Sequence, residues 1–369
     1  MPAKPSTQHM RLDYLIVGSG LTGSVLARKL ADRGEQVLVV DRRPHPAGNL
    51  YDYDRPSGIR VHAYGPHYFR TNSAKIWKFV NKFSPFYKFE AILKSYVDGR
   101  YENWPVVESY IKRTLGKDWE PGFKGEPSNF EEASLKYMPR PIYEKFVKGY
   151  TEKQWGVPAK NLSADLARRF DVRKDDEPRL SRYKYQGIPV YGYTGMILRM
   201  LDGIPVILNY DYLEDPKAFV PRKMTLYTGP IDEYFGYQYG KLKYRHQVRR
   251  HRYYPRLKFF QPYHQINYPS KKDGKLIRAI EWKRVMPPSS AKKIPRGAVV
   301  TKEYPEDSRD PNTHEYPFPE KRYRELYLRY KKKADKLSGI MFCGRLGEYK
   351  YYDMDQAIEN SFSIVNRVL

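Results

Sequence analysis

Apolar residues follow three rhythms along this chain. Arg11 to Val17 ends in the unbroken run Tyr14-Leu15-Ile16-Val17, which predicts a strand buried on both faces. Ser24 to Arg33 places Val25, Leu26 and Leu30 on one side of a helix, and Gln36 to Val40 predicts a second strand. Helical spacing returns at Ile76, Phe79, Val80 and Phe83, and period-two alternation appears near Ala298 to Tyr304. Asp353 to Val368 reads as a closing helix that Asp355 can cap. Pro287-Pro288-Ser289-Ser290 marks a loop, and the charged stretch Arg173 to Ser181, short of apolar anchors, reads as a mobile lid. No apolar run reaches 18 residues, so no transmembrane helix is predicted. Met1 to Met10 is polar and contains proline, which reads as a flexible leader without a signal-peptide core.

Between the first strand and helix lies Gly18-Ser19-Gly20-Leu21-Thr22-Gly23. Gly18 permits a tight turn, Gly20 lets a pyrophosphate approach the backbone, and Gly23 lets helix and strand pack closely. The helix start, at Leu21 and Thr22, offers N–H groups to phosphate. The second strand ends on Asp41, an acceptor for ribose hydroxyls. Arg42 to Asn49 then resembles the RxxxxGG continuation of glutathione-reductase-like flavoproteins, with Gly48 kept and Asn49 in place of the second glycine. Asn tolerates positive φ, so the turn is expected to survive. This segment favours FAD over NAD.

Composition changes the picture in three ways. The 369 residues suggest two or three domains. The net charge of +25 points to anionic partners, although Arg249-Arg250-His251-Arg252 and Lys331-Lys332-Lys333 read first as solvated surface. The single cysteine, Cys343, excludes an intrachain disulfide, fits a reducing cytoplasm and reads as a core residue. No metal site is expected. The 35 tyrosines interleave with basic residues, a pattern that can bind single-stranded nucleic acid; since tyrosines also sit inside ordered motifs, nucleic acid is not the expected partner.

Four further strings fall in order. They are His62-Ala63-Tyr64-Gly65-Pro66-His67-Tyr68-Phe69-Arg70-Thr71-Asn72; Tyr150-Thr151-Glu152-Lys153-Gln154-Trp155-Gly156; Tyr185-Gln186-Gly187-Ile188-Pro189 with Thr228-Gly229-Pro230-Ile231-Asp232; and Gly344-Arg345-Leu346-Gly347-Glu348-Tyr349-Lys350-Tyr351-Tyr352-Asp353-Met354-Asp355. Together they resemble the bacterial UDP-galactopyranose mutase family, from about Leu12 to near the C-terminus. The resemblance implies contraction of a nucleotide-linked hexose ring through a covalent adduct on N5 of reduced FAD, with no net redox change and with NADH or NADPH as candidate reductants. It places Arg173 on a mobile phosphate-binding loop, adds Arg245 and Arg278, and sets Tyr185, Tyr316, Tyr351 and Asp353 along diphosphate and sugar. Phe146 and Tyr150 fall near the nucleobase, Thr151 in the same string, Trp155 near the sugar and His67 near the flavin. Gly65, Pro66, Tyr68, Gly229, Arg345, Asp353, Met354 and Asp355 join the cofactor set. A homodimer acting on a nucleotide sugar in the cytoplasm is implied, with no membrane insertion.

The family string is close to GPHIFHTN, so Arg70 stands where a histidine is usual. This sets a permanent cation near the expected flavin–sugar site and opens the choice of sugar and base. The YRSL and YTRITE strings are likewise altered, to Tyr244-Arg245-His246-Gln247 and Leu276-Ile277-Arg278-Ala279-Ile280-Glu281. The fold expected is α/β, with a discontinuous Rossmann-like FAD-binding domain (11–73, 187–232, 336–369). A mainly helical insertion is expected over 74–150, and an antiparallel sheet domain over 151–186 and 233–335. Two other readings share the βαβ start: an amine-oxidase-like FAD oxidoreductase, with net substrate oxidation, and a non-catalytic polyanion binder with salt-steep binding.

Overall fold

The computed structural model describes residues 12–169 and 172–369. The leader, Arg11 and the pair Phe170-Asp171 lie outside the described residues, as do the side chains of residues 168 and 169. At the centre is a five-stranded parallel sheet ordered Val206–Ile207, Val37–Val40, Tyr14–Val17, Met224–Tyr227, Ile340–Phe342. Its strands are apolar at every position but Thr225, because both faces are covered. Tyr14, Ile16, Val37, Val39 and Leu226 pack with Val25, Leu26 and Leu30 of the helix Leu21–Ala31 and with Ile358 and Phe362 of the C-terminal helix Met354–Val368. The alternate residues Leu15, Leu38, Val40 and Tyr227 face a second cluster with Tyr212. Cys343 is buried among the first group, and burial pushes its thiol pKa far up, so it is a core residue.

A seven-stranded sheet carries the other half of the molecule. Its order is Tyr316–Pro317, Tyr244–Tyr254, Ala298–Ser308, Arg278–Glu281, Gln265–Asn267, Leu93–Val97, Arg100–Trp104. All neighbours are antiparallel except Gln265–Asn267 against Leu93–Val97, which run parallel. A three-stranded antiparallel sheet, Phe69–Thr71, Tyr185–Pro189 and Phe86–Lys88, joins the two halves.

Three local expectations change. The stretch after Ala74 opens with the expected helix, Ala74–Asn81, capped by Ser73 and burying Ile76, Phe79 and Val80. It then leaves helix for three strands. Leu93, Ser95 and Val97 alternate inward, and Asp98-Gly99, both at positive φ, turn the hairpin as Asp-Gly pairs do. The Pro287-Pro288 segment is a short helix, Pro288–Lys292, because proline at the first helical position arrives with helical φ. Asp353, not Asp355, occupies the N-cap of the last helix; its N–H donates to Gln356 Oε1 at 3.0 Å.

The glycine loop is sterically exacting. A Cβ on Gly23 would lie 1.9 Å from the Gly18 carbonyl oxygen, whereas one on Gly34, which is at φ +83°, would meet nothing within 4 Å. Gly23→Ala is therefore expected to destabilise by about 2–3 kcal/mol and Gly34→Ala by about 1 kcal/mol, read from denaturant melts.

Candidate active site

A cavity of about 210 Å³ opens at the carboxyl ends of the parallel strands. Gly18, Gly20, Leu21, Thr22 and Gly23 form its floor; Asp41, Arg42, Gly48 and Asn49 form one side; and His67, Gly229, Arg345 and Met354 form the other. Gly18 has φ +105°, and a Cβ there would overlap Thr228 Oγ1, which donates to Val17 O at 2.7 Å. Gly48 approaches Gly20 so closely that its Cβ would stand 2.8 Å from Gly20 Cα. The helix Leu21–Ala31 starts at Gly20 without a side-chain cap, so its first N–H groups face the cavity undisputed.

The acid that ends the second strand also holds this loop. Asp41 Oδ2 accepts the Ser19 N–H and hydroxyl, each at 2.7 Å, and Oδ1 accepts the Arg43 N–H at 2.9 Å. Arg42 is bound bidentately by Glu233, at 2.8 and 3.0 Å. The expected positive φ falls on Ala47 and Gly48 rather than on Asn49. Asn49 uses its side chain instead: Oδ1 accepts from Arg43 Nη1 at 2.9 Å and Nδ2 donates to His314 O at 3.2 Å. This draws the loop containing Pro311 and Asn312 over the cavity.

His67 lies against the cavity. Burial, then the neighbouring His62, Arg345, Arg249 and Arg278, hold its pKa well below the ordinary histidine value, so the ring is neutral. The His67 backbone N–H donates to His62 Nδ1 at 3.1 Å, and the His62 pKa is itself depressed by burial to about 4. Among the described residues none hydrogen-bonds the buried His67 Nδ1. A glycine cradle and an unmatched imidazole nitrogen on one cavity fit a dinucleotide carrying a polar ring.

Arg345 joins this cavity to the second sheet. Its guanidinium lies 4.6 Å from the Tyr351 ring centre and 5.8 Å from that of Tyr316, two rings stacked at 6.1 Å. It donates to Glu315 O at 2.9 Å and Tyr352 O at 2.8 Å, fixing the two segments that carry the tyrosines. Behind them, Glu303 is fully buried between two arginines. Arg249 Nε donates to Oε1 at 3.1 Å and Arg278 Nε to Oε2; Arg249 also grips Glu315 at 2.7 and 2.8 Å. Burial opposes the charge on Glu303, but Arg278 and then Arg249 outweigh it and keep its pKa below the usual carboxylate value. Gly65, at φ +94°, rests on this cluster: a Cβ would come within 3.0–3.2 Å of Glu303, Arg249 and Arg278. Arg278 also senses Tyr150 and Tyr316.

The basic run at 249–252 is thus not plain solvated surface. Along Tyr244–Tyr254 the residues Arg245, Gln247, Arg249 and His251 take the more buried alternate positions, while Arg250 and Arg252 are exposed. Period-two counting inside the run would have exposed Arg249; Glu303 and Glu315 had no comparable signal.

Other expected site residues lie elsewhere. Arg245 caps the helix Gly149–Trp155, donating to Gln154 O at 2.7 Å and Lys153 O at 3.1 Å, and pairs with Asp307 at 2.6 Å. Phe146 and Trp155 are buried in a core cluster, edge-on to Tyr110 and Phe318, and Thr151 is buried beside them. Tyr68 donates to Gln265 at 3.1 Å, away from the cavity. Tyr185 stacks on Trp77 at 5.4 Å. Arg173 is buried and donates to Arg179 O and Leu180 O, at 3.1 and 3.3 Å, so the expected lid is fastened by the arginine meant to move with it. Arg70 is neutralised: its Nη2 meets Asp353 at 3.1 Å, and its guanidinium lies 5.8 Å from the Tyr183 ring centre. Asp355 follows; burial and then Asp353 raise its pKa, with the Gln356 backbone N–H, Thr71 and Arg70 opposing.

A glycine cradle on a parallel sheet, bordered by Arg345 and, behind it, by tyrosine and arginine of a second sheet, defines a dinucleotide-binding protein with a cationic flank to its cavity. A family model for UDP-galactopyranose mutase matches residues 145–351, and one for NAD(P)-binding Rossmann-like domains matches residues 16–83. The chain is 33% identical to a probable UDP-galactopyranose mutase of Klebsiella pneumoniae, over 97% of this chain and 94% of the relative. It is 31% identical to a dTDP-fucopyranose mutase of Escherichia coli, over 94% and 96%. A crystal structure of reduced UDP-galactopyranose mutase superposes with a TM-score of 0.76 at 15% identity, covering 97% and 95% of the two chains, which shows the shared fold. The chain belongs to the UDP-galactopyranose mutase family. It is an isomerase, a pyranose–furanose mutase.

Glu303→Gln is expected to cost about 3–5 kcal/mol, because it leaves two buried guanidiniums without their shared charge. The wild-type contribution is complete above the unfolded carboxylate pKa of about 4.3 and is lost as pH falls through the lower folded value. Melts of the variant should therefore show a flatter acid limb than wild type.

Proposed function

We propose that the protein interconverts the pyranose and furanose forms of a nucleotide-activated hexose with reduced FAD as its cofactor. The observation that carries this reading is Arg345, which lines the dinucleotide cavity and also supports the Tyr316–Tyr351 stack. The glycines from Gly18 to Gly23, with Gly48, Asn49 and Asp41, would hold the dinucleotide, and His67 would face its ring. When bound and reduced, the flavin supplies a nucleophilic N5 that lets the sugar ring open and reclose without net oxidation.

The chain's own residues then supply positioning and charge. Arg345 and Arg278, always ionised, hold the diphosphate leaving group near the sugar, and the stacked tyrosines exclude water beside it. His67 stays neutral, so it positions by hydrogen bonding and adds no charge. Arg173, now tied to its own loop, reaches the substrate only if that loop opens. Arg70 cancels the charge on Asp353, a residue the resemblance sets beside the substrate. That pairing makes the sugar and base the open variable. UDP-galactose and the 6-deoxy sugar nucleotide dTDP-fucose are the two substrates to compare. The reading includes a cytoplasmic homodimer.

The test is conversion by dithionite-reduced protein of UDP-galactofuranose and dTDP-fucofuranose, followed by chromatography, with NADH and NADPH tried as alternative reductants. Pyranose product is expected from at least one. No conversion by protein holding reduced FAD would end the mutase reading, and substrate-dependent oxygen uptake would favour an oxidase instead. Arg345→Ala should lower turnover by about 100-fold or more and weaken flavin retention, seen as a lower flavin-to-protein absorbance ratio.

A further inference from the structure

We propose that the turn at Tyr253–Phe260 is a peripheral docking element for an anionic lipid bilayer. Tyr253, Leu257 and Phe260 are 45%, 42% and 41% exposed, three large apolar side chains within eight residues. They stand at one end of the long strand pair Tyr244–Tyr254 and Ala298–Ser308. Gly297 N–H donates to Leu257 O at 2.8 Å, so the two approaching segments meet there.

The exposed charge on this tip has one sign; the acid that touches it, Glu281, is buried and accepts the Phe260 N–H at 2.7 Å. Residues 249–260 and 282–302 contain eleven Lys and Arg and not one Asp or Glu. Arg249 and Lys283 point inward, but Arg250, Arg252, Arg256 and Lys258 are exposed. Arg250 even faces Lys302 across the strands. Elsewhere on the surface, cations are interrupted by acids: Lys321, Arg322 and Lys331 each pair with a carboxylate. Apolar side chains ringed by unopposed cations suit a headgroup layer, where hydrocarbon enters and guanidinium meets phosphate.

Two other occupants fit less well. A second copy would bring the same cations face to face, which repels. Single-stranded nucleic acid needs several open ring faces, but here three of the four rings are already engaged. Tyr254 stacks on Phe260 at 4.5 Å, Arg252 sits 5.1 Å from the Tyr254 ring centre and Arg284 3.9 Å from that of Phe259. What remains exposed is Leu257, Tyr253 and part of Phe260, an apolar surface that lipid accepts. No residue from Tyr253 to Phe260 lines the dinucleotide cavity, so docking through the tip does not use the cavity wall.

The full-length protein should be sedimented with phosphatidylcholine vesicles, with and without phosphatidylglycerol. Binding to the anionic vesicles alone, weakened by salt, is expected. Arg256→Ala/Lys258→Ala should weaken it by about tenfold or more, while Lys332→Ala/Lys336→Ala, an equal charge change on another face, should change it less than about threefold. Leu257→Ser should also weaken it and leave the salt dependence in place. All of these positions are exposed, and unchanged melting temperatures confirm folding. Equal losses from both double variants would reduce the effect to overall charge and overturn the proposal. So would absence of vesicle binding, or tip variants that lose self-association or single-stranded DNA binding instead.

Discussion

One buried carboxylate organises the region between the two sheets. Glu303 stands on the central long strand of the seven-stranded sheet and is shared by Arg278 and Arg249 from its two neighbours. Burying one charge is unfavourable, and burying three is tolerable only because each partner answers another. The consequence extends outward through Arg249 to Glu315, through the Glu315 carbonyl to Arg345, and through Gly65 to the loop bearing His67. A cation field made this way is rigid. It adds to burial in depressing the His67 pKa and flanks Tyr316 without relying on mobile surface side chains.

Arg70 shows the opposite use of charge. It replaces a titratable family residue with a fixed cation, but the cation is spent on Asp353 at the N-cap of the last helix. The pair is about one-third exposed on each side, so its contribution to stability is small; its effect is to tie the strand Phe69–Thr71 to the start of the last helix. Asn49 similarly exchanges a family glycine for two side-chain hydrogen bonds.

The nucleotide cradle was readable because Gly18, Gly23 and Gly48 answer close steric demands, and such demands leave short patterns in the sequence. The apolar strands and the Asp41 position follow from the same short-range logic. Arg249 was misread because a run of cations resembles surface until it is counted in twos, and strand periodicity was assigned to the opposite strand only. The hairpin at Asp98-Gly99 was overlooked although its turn residues announce it. Phe146, Trp155 and Arg245 illustrate a harder limit: motif identity places them in a neighbourhood, but whether a ring meets ligand or core depends on packing from distant segments such as Phe318 and Tyr110. Glu303 and Glu315 become meaningful only when Arg249 is brought beside them, which no spacing announces.

The parallel pairing of Leu93–Val97 with Gln265–Asn267 carries a cost in time. On a chain made from its N-terminus, Lys94 emerges about 170 residues before its partner Ile266. At ordinary synthesis speeds that is a wait of roughly 10–30 s with the hairpin's inner edge unpaired. The first strand of the central sheet waits longer still for Met224–Tyr227. Neither sheet can close until most of the chain exists, so the nascent protein must be kept from pairing those edges with the wrong strand.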